Sequence, residues 1–141
     1  MFLGKKYLNL VIKPPIIFYL ESRSFGHIGT TELVHKGIFK KSYIHRKPLL
    51  AKSYDFKSPS KGQWAEFCEA LDRSLAFKWD NEYATNSVVH DGMSWIVKIQ
   101  FSDGRGIHSS GCNAYPVDTQ WDRFNLAVNK LLGIQWLDYK K

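Results

Sequence analysis

Two stretches of the chain, "PSKGQWAEFCEALDRSLAFKW" at residues 59–79 and "PVDTQWDRFNLAVNKLLGIQW" at residues 116–136, obey one pattern, P-x3-QW-x2-F-x2-A-x4-L-x3-W, and align without a gap at an offset of 57 residues. Trp64, Phe67, Leu71 and Leu75 in the first copy recur at three and four residues, as do Trp121, Phe124, Val128 and Leu132 in the second. That spacing is one apolar face of a helix. Amphipathicity alone does not require the matched proline, glutamine and outlying tryptophan, so the pattern reads as an internal duplication.

Working outward, each helix is preceded by extended sequence. "WIVKIQFSDGRGIHSSGC" (95–112) alternates Trp95, Val97, Ile99 and Phe101 with polar or outward positions. Asp103-Gly104 supplies a favoured two-residue hairpin turn, and Gly111 reads as a bulge in the returning strand. Ahead of the first helix, residues 16–22 are β-branched and aromatic, "FGHIGTT" (25–31) reads as a turn or loop, and residues 32–46 read as a long strand bent at Gly37. A short extended piece covers 50–56. Ser58 or Ser60 is the expected cap of the first helix and Asp118 of the second, which Gly133 would terminate. Glu66, Glu69, Asp72 and Arg73 form the expected solvated face of the first helix.

The expected fold class is α+β: a single domain of two duplicated β-β-α units, 16–83 and 84–141, after a tail or extra strand at 1–15. A hairpin with one amphipathic helix cannot bury itself, but two such units can form one antiparallel sheet with both helices packed on one face about a pseudo-two-fold axis. The length of 141 residues, the 44% apolar content and five Trp, seven Tyr and nine Phe agree with one packed globule. Two cysteines without a CxxC pair make no disulfide framework, and a reduced, cytoplasmic setting is expected. The apolar opening "MFLGKKYLNLVIKPPIIFYL" is cut by "KPP" and lacks a small-residue cleavage site, so it is not read as a signal peptide. No stretch reaches the roughly 18 uninterrupted apolar residues of a membrane span.

Charge is the other asymmetric feature. Residues 34–62 hold eight basic residues and one acid, a net of +7, while the remainder has twelve of each sign and is neutral. Within that segment "FKKSYIHRKPLLAKSYDFK" (39–57) interleaves aromatics with cations. Lys36, Lys40, Lys41, Arg46, Lys47, Lys52 and Lys57 are expected phosphate contacts, and Phe39, Tyr43 and Tyr54 expected stacking platforms for unpaired bases. A solvated edge strand whose lysines discourage pairing explains the same composition without a ligand.

Other chemistry is thinner. Cys112 in "HSSGCNAYP" invites a thiol nucleophile, yet His108 stands four strand residues away, about 13 Å at the usual rise. A small-polar loop containing His108, Cys112 and Asn113, with His90 and Asp91, is the expected place for any pocket. Metal-ligand spacings, phosphate-cradling loops before a helix and buried carboxylate pairs are missing, so neither a metal nor a cofactor is expected. The functional expectation is a non-enzymatic binding module for a polyanion, most simply nucleic acid, as a monomer or homodimer with no membrane partner. The alternative is a protein-binding inhibitor or accessory protein of a microbial defence or counter-defence system, steered to an acidic surface on a nucleic-acid-handling partner.

Overall fold

The computed structural model describes residues 13–24, 27–33, 39–45, 50–56, 58–84, 93–133 and 136, and for 27, 33, 39–45 and 50–56 the backbone and its pairing. Seven strands form one sheet: β1 (Ile17–Ser24), β2 (His27–Leu33), β3 (Phe39–His45), β4 (Leu50–Phe56), β5 (Glu82–Ala84), β6 (Ser94–Gln100) and β7 (Gly106–Cys112), in the order β4-β3-β2-β1-β6-β7-β5. Helices α1 (Lys61–Arg73) and α2 (Asp118–Leu132) both lie over the face that carries Phe18 and Trp95. The α+β class, the single sheet and the shared helix face therefore stand as expected.

Three details differ. The sheet is antiparallel except for β5, which pairs parallel with β7. Four strands precede α1 in place of the three expected: residues 27–31, expected in a turn or loop, belong to strand β2, and the long strand expected at 32–46 is the end of β2 and all of β3. The β6–β7 connection is a three-residue loop, because Phe101 N–H bonds the Arg105 carbonyl at 2.8 Å and Gly104 alone takes a positive φ of 97°.

Alternation builds the core. Val97 pairs with Leu20 and Ile99 with Phe18 across β6 and β1, and Ile107 continues the second row on β7. Phe67, Leu71, Phe124 and Val128 close over them, all fully buried. Each such side chain contributes about 1.5–3 kcal/mol relative to an exposed one. Thr31, opposite Leu20 and 2% exposed, extends the buried row into β2.

Local chemistry sets the helix ends. Ser60 caps α1 through a reciprocal box in which its hydroxyl accepts from Gln63 N–H and Gln63 Oε1 accepts from Ser60 N–H. α1 stops at Arg73, and Leu75 lies beyond it with φ 59°, outside the helix assigned to it from periodicity. Val117, not Asp118, is the N-cap of α2, leaving Asp118 in the first turn where its charge suits the helix dipole. Gly133 ends α2 at φ 71° with its N–H on Asn129 O. Gly111 is not a bulge: it stays in register opposite Trp95, whose indole occupies the space a Cβ would need.

The helices run in opposite directions across the strands. α1 begins over β1, where Trp64 and Phe67 meet Phe18, and the chain beyond it reaches the flank of β7 through Phe77 on Phe101 and Ser110 N–H on Asn81 O. α2 starts with Trp121 on Trp95 of β6, and its last turn arrives at α1, where Lys130 meets Glu66. The matched tryptophans differ in surroundings. Trp64 packs on Phe18 and Phe67, whereas Trp121 sits among Trp79, Trp95, Tyr115, Phe124 and Trp136. Trp79 and Trp136 both rest on Phe124 of α2.

Candidate functional site

The basic segment folds as the last hairpin of the sheet. Lys40, Lys41, Phe39 and Tyr43 belong to β3, and Lys52 and Tyr54 to β4. Lys36, Arg46, Lys47 and Lys57 lie outside the described residues. Backbone register brings the others into rows: Phe39 opposite Phe56, Lys41 opposite Tyr54, and Tyr43 opposite Lys52. Positions two apart along a pleated strand share a face, so aromatic and cationic positions alternate along β3 as Phe39, Lys41 and Tyr43, and Lys41 and Tyr43 each stand opposite a position of the other kind, Tyr54 and Lys52. Lys40 falls on the other face, in a row with Glu32 on β2 and Asp55 on β4. An acidic position on each side gives those three positions a formal net charge of −1, so Lys41 and Lys52 are the strand cations set apart from acids. Among the described residues β4 has no neighbouring strand on its outer side.

The same face as Lys40 carries a built polar trio on β1. Glu21, buried, accepts from Tyr19 Oη at 2.7 Å and from Arg23 Nε at 2.8 Å. Burial first, and then the hydrogen bond to Glu21, push the Tyr19 hydroxyl up to about 12, while the Glu21 bond raises the already high pKa of Arg23. The trio is internally satisfied and holds the β1 end of the row that continues through Glu32 and Lys40.

The expected pocket loop does not assemble a nucleophile from its described members. His108 Nε2 lies 2.9 Å from Gln100 Oε1 near one end of β7, and Cys112 is exposed at the other end, opposite Ser94. Asn113 takes φ 55°, accepts from Met93 N–H through Oδ1 at 2.9 Å and donates its own N–H to Met93 O. Trp95 Nε1 donates to Ala114 O at 2.9 Å. These bonds make the loop a clamp that seats Trp95 against the strand. His90 and Asp91 lie outside the described residues. Among the described residues no three His, Cys, Asp or Glu side chains gather to hold a metal ion, and no helix is long and apolar enough to cross a membrane.

Sequence reasoning missed the cleft between α1 and α2, of about 620 Å³, which exists only because the two helices lie side by side. A signal was present in the repeat itself: the 57-residue offset carries Glu66 onto Arg123 and Arg73 onto Lys130, and all four line the cleft. No protein-family model, curated protein or solved structure matches this chain.

Proposed function

We propose that the chain is a non-enzymatic binding module for a polyanion, most simply nucleic acid, on a scaffold of two duplicated β-β-α units of which only the earlier became cationic. The observation that carries this reading is the alternation of cationic and aromatic positions on the β3–β4 hairpin, in the segment that holds the whole net charge of +7. Lysines neutralise phosphates while aromatic rings accept unstacked bases, and the two are useful only when adjacent. The element order supports the duplication: moved by 57, residues 39–45, 50–56 and 61–73 become 96–102, 107–113 and 118–130, which overlap β6, β7 and α2. Two free thiols, Cys68 and Cys112, accord with a reducing, cytoplasmic setting.

The test is fluorescence anisotropy with a labelled single-stranded oligonucleotide across a salt series. Log affinity should fall linearly with log salt at a slope of about 0.7 per phosphate contacted, and the variant K41E/R46E/K47E/K52E should lose most affinity while its melting temperature stays close to the parent's. Salt-insensitive binding, or a fourfold variant that binds as the parent does, refutes the reading. A second reading is favoured by the outer edge of β4, unpaired among the described residues, which offers backbone groups for strand addition by a protein partner, with the same cations steering an acidic surface toward it. A single protein retained at a fixed ratio by the immobilised chain, with no salt-dependent oligonucleotide binding, selects this second reading.

A further inference from the structure

We propose that the cleft between α1 and α2 is a binding site for a small anionic amphiphile, a carboxylate on an aliphatic or aryl body. Its apolar lining is Phe67 and Ala70 from α1, and Leu126, Ala127 and Leu131 from α2. Leu126 is 68% exposed there, a large apolar side chain held out of the core on a helix that otherwise buries its apolar residues. The cleft volume falls within the roughly 300–1,000 Å³ typical of small-ligand sites.

The two ends of the cleft differ in charge, and the difference selects the ligand. Because the helices are antiparallel, Glu66 near the start of α1 lies beside Lys130 near the end of α2, where they pair at 2.6 Å. At the other end the equivalent positions are Arg73 and Arg123. The repeat has put arginine where its mate has glutamate, so one end is closed by opposite charges, while the other is lined by two arginines of which only Arg73 is paired, with Glu69, leaving an excess of positive charge there. Arg73 Nη2 is anchored by Glu69 Oε1 at 2.5 Å, which fixes that group and leaves other N–H donors of its fork for a ligand. Arg123 is exposed and has no ion-pair partner among the described residues. A carboxylate at this end takes up paired N–H donors from planar guanidinium groups, the geometry arginine favours, while its apolar body displaces water from Ala70, Leu126 and Ala127. Phosphate alone lacks the body, and an uncharged alcohol lacks the head.

The probe is sodium octanoate, titrated into the full chain by calorimetry, with 1-octanol as the uncharged control. Octanoate should saturate one site per chain, and octanol should bind about tenfold or more weakly, the usual scale of a lost charge-assisted hydrogen bond. Arg123→Gln should weaken octanoate by a similar factor and leave octanol unchanged, whereas Leu126→Ser should weaken both. Both positions are exposed, so the variants should melt with the parent. The K41E/R46E/K47E/K52E variant should bind octanoate normally, which separates this site from the hairpin. No saturable binding at millimolar octanoate, equal affinity for octanol, or an Arg123→Gln variant that binds octanoate unchanged would each overturn the proposal.

Discussion

Gly111→Ala should be among the most damaging single-methyl additions the protein can suffer. A Cβ at position 111 would stand 2.6 Å from Trp95 Cε2 and closer still to Trp95 Nε1 and the Ala114 carbonyl oxygen, so it collides with both partners of one hydrogen bond. Neither partner can give way easily. Ala114 O is backbone, and Trp95 is 1% exposed with Tyr83, Trp79, Tyr115 and Trp121 around its ring. Overpacking of a core costs about 1–3 kcal/mol. An indole N–H left buried without its acceptor adds about 1–3 kcal/mol. The expected loss is about 3–4 kcal/mol, close to a 10 °C drop in melting temperature at about 3 °C per kcal/mol for a chain of this size. Urea unfolding followed by tryptophan fluorescence measures it directly. The decisive control is a double-mutant cycle with Trp95→Phe, whose smaller ring removes the colliding atoms: the alanine should then cost less than half as much. A loss below about 1 kcal/mol in the parent background, or strict additivity with Trp95→Phe, refutes the account of why glycine is there.

Two further perturbations test other parts of the structure. Gly133→Ala meets no atom within 4 Å but must adopt φ 71°, so it should cost about 1 kcal/mol by conformation alone, and an unchanged urea midpoint would contradict the αL cap of α2. Burial pushes the Cys68 thiol up to about 11 from its ordinary 9.0, with Arg105 opposing and Asp103 and Asp72 adding. The folded state therefore holds a proton that the unfolded chain releases, so stability should be level in this respect below pH 9 and fall by about 2–3 kcal/mol between pH 9 and 11. Cys68→Ala should flatten that alkaline window in pH-dependent urea unfolding, and an identical slope in both proteins would remove Cys68 as its cause.

What could be read from residues alone followed from the strength of local patterns. Both helices and the β6–β7 hairpin carry large apolar side chains at one clear period, so their existence and buried faces are visible in the chain. Strand β2 is not, because "HIGTTEL" has the glycine and threonines of a loop. It is a strand through pairing with β1 and β3 on either side, and Thr31 is buried because Leu20 is opposite it. The three-residue β5 is held by backbone bonds to β7, which no side-chain period announces. Glu69 shows the same limit within a legible helix: it sits on the polar side, yet it is 8% exposed with Arg73 folded over it. For the candidate site, the segregation of charge was legible because it is a property of composition. Which cations stand beside aromatic positions and which beside acids depends on register, and only the paired strands separate Lys41 and Lys52 from Lys40.

Trp79 has a consequence for how the chain must be made. Its ring is lodged between Trp95, Trp121 and Phe124, and its Nε1 donates to Gln120 Oε1, 41 residues further along. During synthesis from the N-terminus, α1 can settle early on Phe18 of β1, which has already emerged, but Trp79 meets Trp95 only when β6 follows, and Trp121, Phe124 and Gln120 only when α2 leaves the ribosome. The early half therefore carries an incompletely covered indole while the 41 residues up to Gln120 are added. It completes its fold only when the later half arrives to receive it.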